Sequence, residues 1–223
     1  MSMQRCASVP QGEQAVQAVS GVIHVLLVHD ISLMRSGLAA LLEKEPDIEI
    51  SAGGSAGALG IARSLQPHVC VADTEGPGSP ALAAAAEVSG PQGAYPDCAL
   101  LVLAPAGKPG LLRRAHEADA QGYVSKNAPA ERLLHGIRRV AAGERFVDDL
   151  LACEFLEAAR SPLTTRELSV LSLAAEGAGV TEIAHSLHLT NGTVRNYMAA
   201  ITRKTGARNR VDAIRISQGA GWL

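Results

Sequence analysis

The sequence predicts two modules, a doubly wound parallel α/β sheet followed by a small all-helical unit. Three observations carry this reading. Apolar runs of strand length alternate with helical patterns from Val22 to Ala142, no strand signal occurs from Leu163 onward, and charge segregates between the two parts. Residues 1–160 hold 13 Lys and Arg against 18 Asp and Glu, a balance of −5, whereas residues 161–223 hold 7 against 4, a balance of +3. The overall charge of −2 is therefore a sum over an acidic object and a basic one. The length of 223 residues suits two ordinary domains, and 47% hydrophobic residues make them globular. Because only 3% of residues are aromatic, platforms of exposed rings for sugars or stacked bases are not expected.

Taken in order, residues 1–21 mix polar and small side chains with no sustained period and are expected to form a flexible leader. The runs VIHVLLV (22–28) and ALLVLA (99–104) are nearly all apolar, as central strands covered on both faces require. IEIS (48–51), HVCVA (68–72) and GYVS (122–125) complete five strands. Helical patterns at 32–45, around Ala56–Leu65, near Pro80–Val88, at Pro109–Asp119 and at Pro129–Ala142 separate and follow them. The sheet module thus spans 22–142, and 143–161, with an acidic pair and a short amphipathic stretch, is expected to be a linker helix ending at Ser161-Pro162.

Cys6, Cys70, Cys98 and Cys153 are far apart, with no CxxC pair and no His at a ligand offset, so neither a disulfide framework nor a zinc site is expected. No apolar run reaches the ~18 residues of a membrane span. The N-terminus lacks the basic-then-apolar order of a signal peptide, and the expected location is cytoplasmic, with no membrane partner.

In residues 162–223, Thr164 stands three positions before Glu167, the spacing of a capping box, and Leu168, Leu171 and Ala175 are expected on the inner face of the helix it opens. A short helix over 180–187, a turn at His188-Leu189 and a Thr190 cap follow. Within Asn191–Lys204, the i, i+4, i+7 spacing turns Val194, Met198 and Ile201 inward, leaving Arg195, Asn196, Ala199, Thr202 and Arg203 outward. Two short helices, a tight turn and an outward Arg-Asn pair are how a helix-turn-helix addresses double-stranded DNA. Arg195 suits guanine and Asn196 adenine, while Ala199 leaves room for a thymine methyl. Thr190, Thr193, Arg203, Lys204, Arg208 and Arg210 are expected to contact phosphates.

The elements LTTRE, AAEG, TEIA, TVRNY and the closing GWL, in that order, resemble the LuxR-type helix-turn-helix of NarL/FixJ-class response regulators over 162–223. The resemblance implies a homodimer on an inverted repeat, with a last helix of about Arg208–Gly219 adding dimer contacts. Residues 22–142 are similar to the receiver domain of that class, a flavodoxin-like fold. On its pattern Asp73 matches the phosphoacceptor, Lys126 the conserved lysine, Tyr123 the aromatic switch and Asp30 the second acid. His29 stands at the first acid and Ala104 at the Ser/Thr hydroxyl, and EGPGSPA (75–81) replaces the usual Met-Pro turn with a Gly-Pro one.

Mg²⁺ prefers hard oxygen ligands, so with His29 in place of a carboxylate no cofactor is expected. Ala104 cannot donate the hydrogen bond that couples phosphorylation to Tyr123. The expected function is therefore a sequence-specific transcription regulator with an atypical receiver, controlled independently of aspartyl phosphorylation. Asp30 and Asp73 are expected to pair with Lys126, and a small-molecule effector at the strand carboxyl ends, a partner or constitutive dimerisation would take over control. Receiver dimerisation near Leu33–Leu42 and Glu131–Val140 would place Arg138 and Arg139 on the surface. Two alternatives remain, a conventional response regulator served by a sensor kinase and an interaction protein that sequesters a partner with little DNA binding. No nucleophile elbow or Gly-rich phosphate loop accompanies His29, Asp30 and Asp73, so an enzyme is not expected.

Overall fold

A computed structural model describes residues 21–76, 78–158 and 162–223. Nearly all of the expected leader, with Cys6, and the end of the expected linker lie outside the described residues. The sheet module contains β1 (Ile23–Val28), α1 (Ser32–Leu42), β2 (Ile48–Gly53), α2 (Ala58–Leu65), β3 (Val69–Asp73), α3 (Pro80–Val88), β4 (Ala99–Ala104), α4 (Pro109–Glu117), β5 (Gly122–Ser125) and α5 (Ala130–Ala141). Every pairing is parallel, in the order β2-β1-β3-β4-β5-β6. The sixth strand, β6 (Phe146–Val147), corrects the expectation of five strands. A two-residue strand carries no periodicity to read. Its place is fixed by Phe146 and Asp148, whose N–H groups donate to the carbonyls of Gln121 and Tyr123.

Alternate residues of each central strand serve opposite cores, as the two-residue period demands. Leu26, Val28, Cys70, Ala72, Leu100 and Val102 pack under α2, α3 and α4. Val25, Leu27, Val69, Val71, Leu101 and Leu103 pack under α1 and α5. Both faces being covered explains the apolar composition of β3 up to Asp73 and of β4, and the parallel order carries their carboxyl ends to a common edge. Cys70 and Cys98 are buried free thiols, whereas Cys153 is exposed.

The expected linker helix exists as α6 (Ala152–Ala158), and it is docked rather than free. Phe155 meets the Tyr123 ring edge-on at 4.9 Å and His116 at 6.4 Å.

The C-terminal module contains α7 (Thr165–Ala175), α8 (Val180–Ser186), α9 (Asn191–Thr205) and α10 (Arg210–Gly219). Both halves of the capping box form, the Thr164 hydroxyl accepting from the Glu167 N–H and the Glu167 carboxylate accepting from the Thr164 N–H. The inner face of α7 is Val170, Leu171 and Ala174, not Leu168, Leu171 and Ala175. Glu167 is itself drawn inward by the cap and by Lys204, which turns the helix so that Leu168 is only half-buried. These side chains join Ile183, Ala184, Val194, Ile201 and Ala213 in a third core. Asn209 accepts from the Asp212 N–H and so starts α10 two residues later than the sequence suggested.

Candidate functional site

At the carboxyl ends of β1, β3 and β5, His29, Asp73 and Lys126 converge, as ligand sites of doubly wound sheets do. Asp73 is 6% exposed and engaged on both oxygens. Its Oδ1 lies 2.5 Å from Lys126 Nζ and its Oδ2 3.4 Å from His29 Nε2. His29 Nδ1 accepts from the Ile31 N–H at 3.2 Å, so the ring carries its proton on Nε2 and donates toward Asp73. Burial lowers the His29 pKa, with Lys126 acting in the same direction against Asp73, and the imidazole is neutral at pH 7.

Asp30 departs from expectation. Its Oδ1 accepts from the Ser55 N–H at 2.7 Å, pinning the loop after β2, while its place beside Lys126 is taken by Glu75. Glu75 bridges Lys126 at 2.8 Å and Lys108 at 2.7 Å, and hydrogen bonds from Lys108 and Lys126 bring its carboxyl down to about 2. Sequence reasoning missed both Glu75 and Lys108. The available signal was an acid two residues beyond Asp73, immediately before the Gly that stands in place of the Met of the family turn.

Ala104 is fully buried beside this group, and only its backbone takes part, the carbonyl accepting from the Lys126 N–H at 2.9 Å. Thr74 does not replace the missing hydroxyl, because its side chain donates to the Leu103 carbonyl. Tyr123 is buried with its hydroxyl donating to the Ala120 carbonyl at 3.0 Å, and desolvation pushes its phenol up to about 12.

The donor set differs from the hard-oxygen set that Mg²⁺ prefers. An imidazole replaces one acid, both Asp73 oxygens are engaged, and among the described residues no group of three or more His, Cys, Asp or Glu side chains is arranged to hold a metal. Beside these residues lies a cavity of about 430 Å³ whose wall includes Ile31, Met34, Pro80 and Ala81. An apolar cleft of about 210 Å³ between α1 and α5 adjoins it, sharing His29, Met34 and Lys126.

On α9 the structure places Arg195, Asn196, Ala199 and Arg203 outward, with Val194 and Ile201 buried and Met198 and Tyr197 packed on the core. Among the described residues the side chains of Arg195, Asn196 and Arg203 have no hydrogen-bond or ion-pair partner. Thr190 caps α9 by accepting from the Thr193 N–H, and the two hydroxyls lie 2.9 Å apart at its N-terminus. Three of the basic residues expected on phosphates also have internal partners. Lys204 pairs with buried Glu167 at 2.7 Å, Arg208 with Asp212 at 3.3 Å, and Arg210 donates to the carbonyls of Ala174 and Ala178. Thr202 likewise turns back to the Met198 carbonyl. On the receiver surface Arg138 is held by Glu45 and Asp47, and Arg139 by Glu144. The exposed apolar residues there include Ile31, Leu33 and Met34, at and near the start of α1.

Residues 161–217 match the family model "Bacterial regulatory proteins, luxR family". The chain is 48% identical over 202 residues to the response regulator RamR of Streptomyces coelicolor, covering 90% of this chain and 98% of that one. It is 36% identical over 205 residues to the transcriptional regulatory protein DesR of Bacillus subtilis, covering 91% and 100%. Among solved structures, RcsB of Salmonella enterica serovar Typhimurium shares the fold, with a TM-score of 0.61, 21% identity, and coverage of 88% of this chain and 98% of RcsB. With a parallel receiver sheet, a luxR-family helical module and relatives aligned along nearly the whole length, the chain belongs to the NarL/FixJ class of response regulators.

Proposed function

We propose that this chain is a sequence-specific DNA-binding transcription regulator, and not an enzyme, that reads an inverted repeat as a homodimer and is controlled without phosphorylation of Asp73. The observation that carries the second half is the closed circuit at the pocket, in which Lys126 and His29 already hold Asp73 and Glu75 holds Lys126 from the other side. A phosphoryl group needs a metal to offset its charge, a hydroxyl to grip it and a free lysine to turn toward it. Here the metal ligand is an imidazole, the hydroxyl is absent at Ala104 and the lysine is shared by two carboxylates. The first half rests on α9, whose unpartnered Arg195 and Asn196 present the donors and acceptors that major-groove edges match.

Control then falls to a small molecule of a size that the 430 Å³ cavity admits. Ile31 and Met34 supply the apolar wall and Asp30 a polar anchor at the mouth. The phosphorylation claim is tested by incubation with acetyl phosphate and Mg²⁺ followed by mass spectrometry. Wild-type protein is expected to show no adduct, and a stoichiometric gain at Asp73 overturns the reading. The effector claim fails if calorimetry with acidic and apolar metabolites of that volume shows no heat and the DNA-binding midpoint does not move.

A further inference from the structure

Among the described residues the two modules share one backbone-to-backbone hydrogen bond, which the regulator reading does not use. At the end of α10 the chain closes in a Schellman motif, with the Gly221 N–H donating to the Gln218 carbonyl and the Trp222 N–H to the Ser217 carbonyl. Gly221 takes the left-handed conformation this requires, at φ +71°. The motif leaves the Ala220 carbonyl pointing outward, and it accepts from the Gly110 N–H at 2.9 Å, in the first turn of α4. An orphan carbonyl at one helix end thus meets an orphan N–H at another, and the negative end of α10 faces the positive end of α4.

The fit excludes side chains on both partners. A Cβ on Gly110 would overlap the Gly221 carbonyl and lie 2.6 Å from Trp222 N, and one on Gly221 would lie within 3.2 Å of Leu111 N and Lys108 Cβ. Gly221 is buried by the contact, while Trp222 and Leu223 pack on the core of their own module. The docking site is also wired to the pocket. Lys108 precedes α4, borders Gly221 and pairs with Glu75, whose other oxygen is on Lys126, which holds Asp73. A second tie, the Gly107 N–H donating to Glu154 of α6 at 2.8 Å, fixes the same loop.

We infer that the C-terminal Gly-Trp-Leu segment is a latch whose receptor is the N-terminus of α4, and that the chain Asp73–Lys126–Glu75–Lys108 transmits the state of the pocket to it. The latch leaves Arg195 and Asn196 exposed, so it sets the orientation of the reading module without covering its face. The Gly110–Ala220 contact forms with Asp73 unmodified.

The test uses the full chain. Gly110 lies within a helix at ordinary φ, so Gly110→Ala suits the backbone of α4 and removes only the space for Gly221. Gly219→Ala, on α10 with nothing near its Cβ position, is the matched control. By hydrogen exchange, Gly110→Ala is expected to raise exchange at least tenfold in peptides covering 105–112 and 217–223, and by small-angle scattering to enlarge the radius of gyration. Peptides from β3 and from α7 should keep wild-type protection, showing that both modules remain folded, and Gly219→Ala should behave as wild type. Glu75→Gln, which weakens both of its lysine pairs, should raise exchange in 217–223 as well. Wild-type exchange and dimensions in Gly110→Ala would overturn the latch; wild-type exchange of 217–223 in Glu75→Gln would overturn its link to the pocket.

Discussion

The receiver pocket and the face of α9 both collect charged and polar side chains, yet they are built in opposite ways. In the pocket the groups answer one another, Asp73 to Lys126 and His29, Glu75 to Lys126 and Lys108. On α9, Arg195, Asn196 and Arg203 project into solvent without partners in the chain. A cluster that is internally neutralised stabilises its own fold and has little charge left for a phosphoryl group, whereas an unpartnered face contributes nothing to the fold and is available to DNA. Stability and recognition are therefore expected to separate cleanly between the two.

The largest expected effect breaks the pocket side of this contrast. Lys126→Ala leaves Asp73 buried against a neutral His29 and should cost about 2–4 kcal/mol in denaturant unfolding, since removing one partner strands a buried charge. A cost under about 0.5 kcal/mol, the usual size of a surface change, would mean that the circuit is ornamental. The mirror experiment is Arg195→Ala, expected to lose roughly 1–3 kcal/mol of discrimination for the cognate base pair. Its unfolding free energy should stay within about 0.5 kcal/mol of wild type, because the side chain is solvated. Footprints and affinity identical to wild type would remove Arg195 from the reading face.

A third change sharpens where Lys204 belongs. The sequence places it with the phosphate-contacting residues, but the structure gives it to Glu167, which burial pushes up and the Lys204 and Thr164 hydrogen bonds push further down, for a net lowering. A carboxylate whose folded pKa lies below its unfolded value stabilises fully above the unfolded value of about 4.5 and loses that contribution as pH falls through the folded one. Glu167→Gln should therefore cost about 1 kcal/mol at pH 7 and flatten the acid limb of the stability curve below pH 4.5. An unchanged acid limb would return Lys204 to the DNA side.

Five of the strands, the helices and the meeting of Asp73 with Lys126 were legible because burial on both faces writes long apolar runs and because motif order points to Asp73, Lys126 and Tyr123. What escaped was set by pairing in space. Phe146–Val147 is too short to carry a period and becomes a strand only because β5 offers a free edge. Glu75 and Lys108 lie 33 residues apart and meet through the topology of the loops after β3 and β4. Lys204, Arg208 and Arg210 read as a basic strip, since sequence counts charges and does not show which of them an inward acid or an exposed helix end has claimed.

The smallest expected effect lies at the turn between α8 and α9, where His188 occupies a left-handed conformation at φ +54°. A residue with a Cβ is strained there, and glycine is not. The imidazole is exposed, and among the described residues no side-chain partner offsets the strain; only its N–H is used, donating to the His185 carbonyl. His188→Gly relieves that strain but gives the unfolded chain more freedom to lose, so the net gain should be small, about 0.5 kcal/mol by thermal or denaturant unfolding. The turn sets the angle at which α9 is presented, so DNA affinity decides what the strain is for. Unchanged affinity with higher stability makes His188 a passive occupant of the turn. A loss of affinity beside unchanged or higher stability would extend the unpartnered reading face from α9 into the turn itself, with the imidazole as a further phosphate contact.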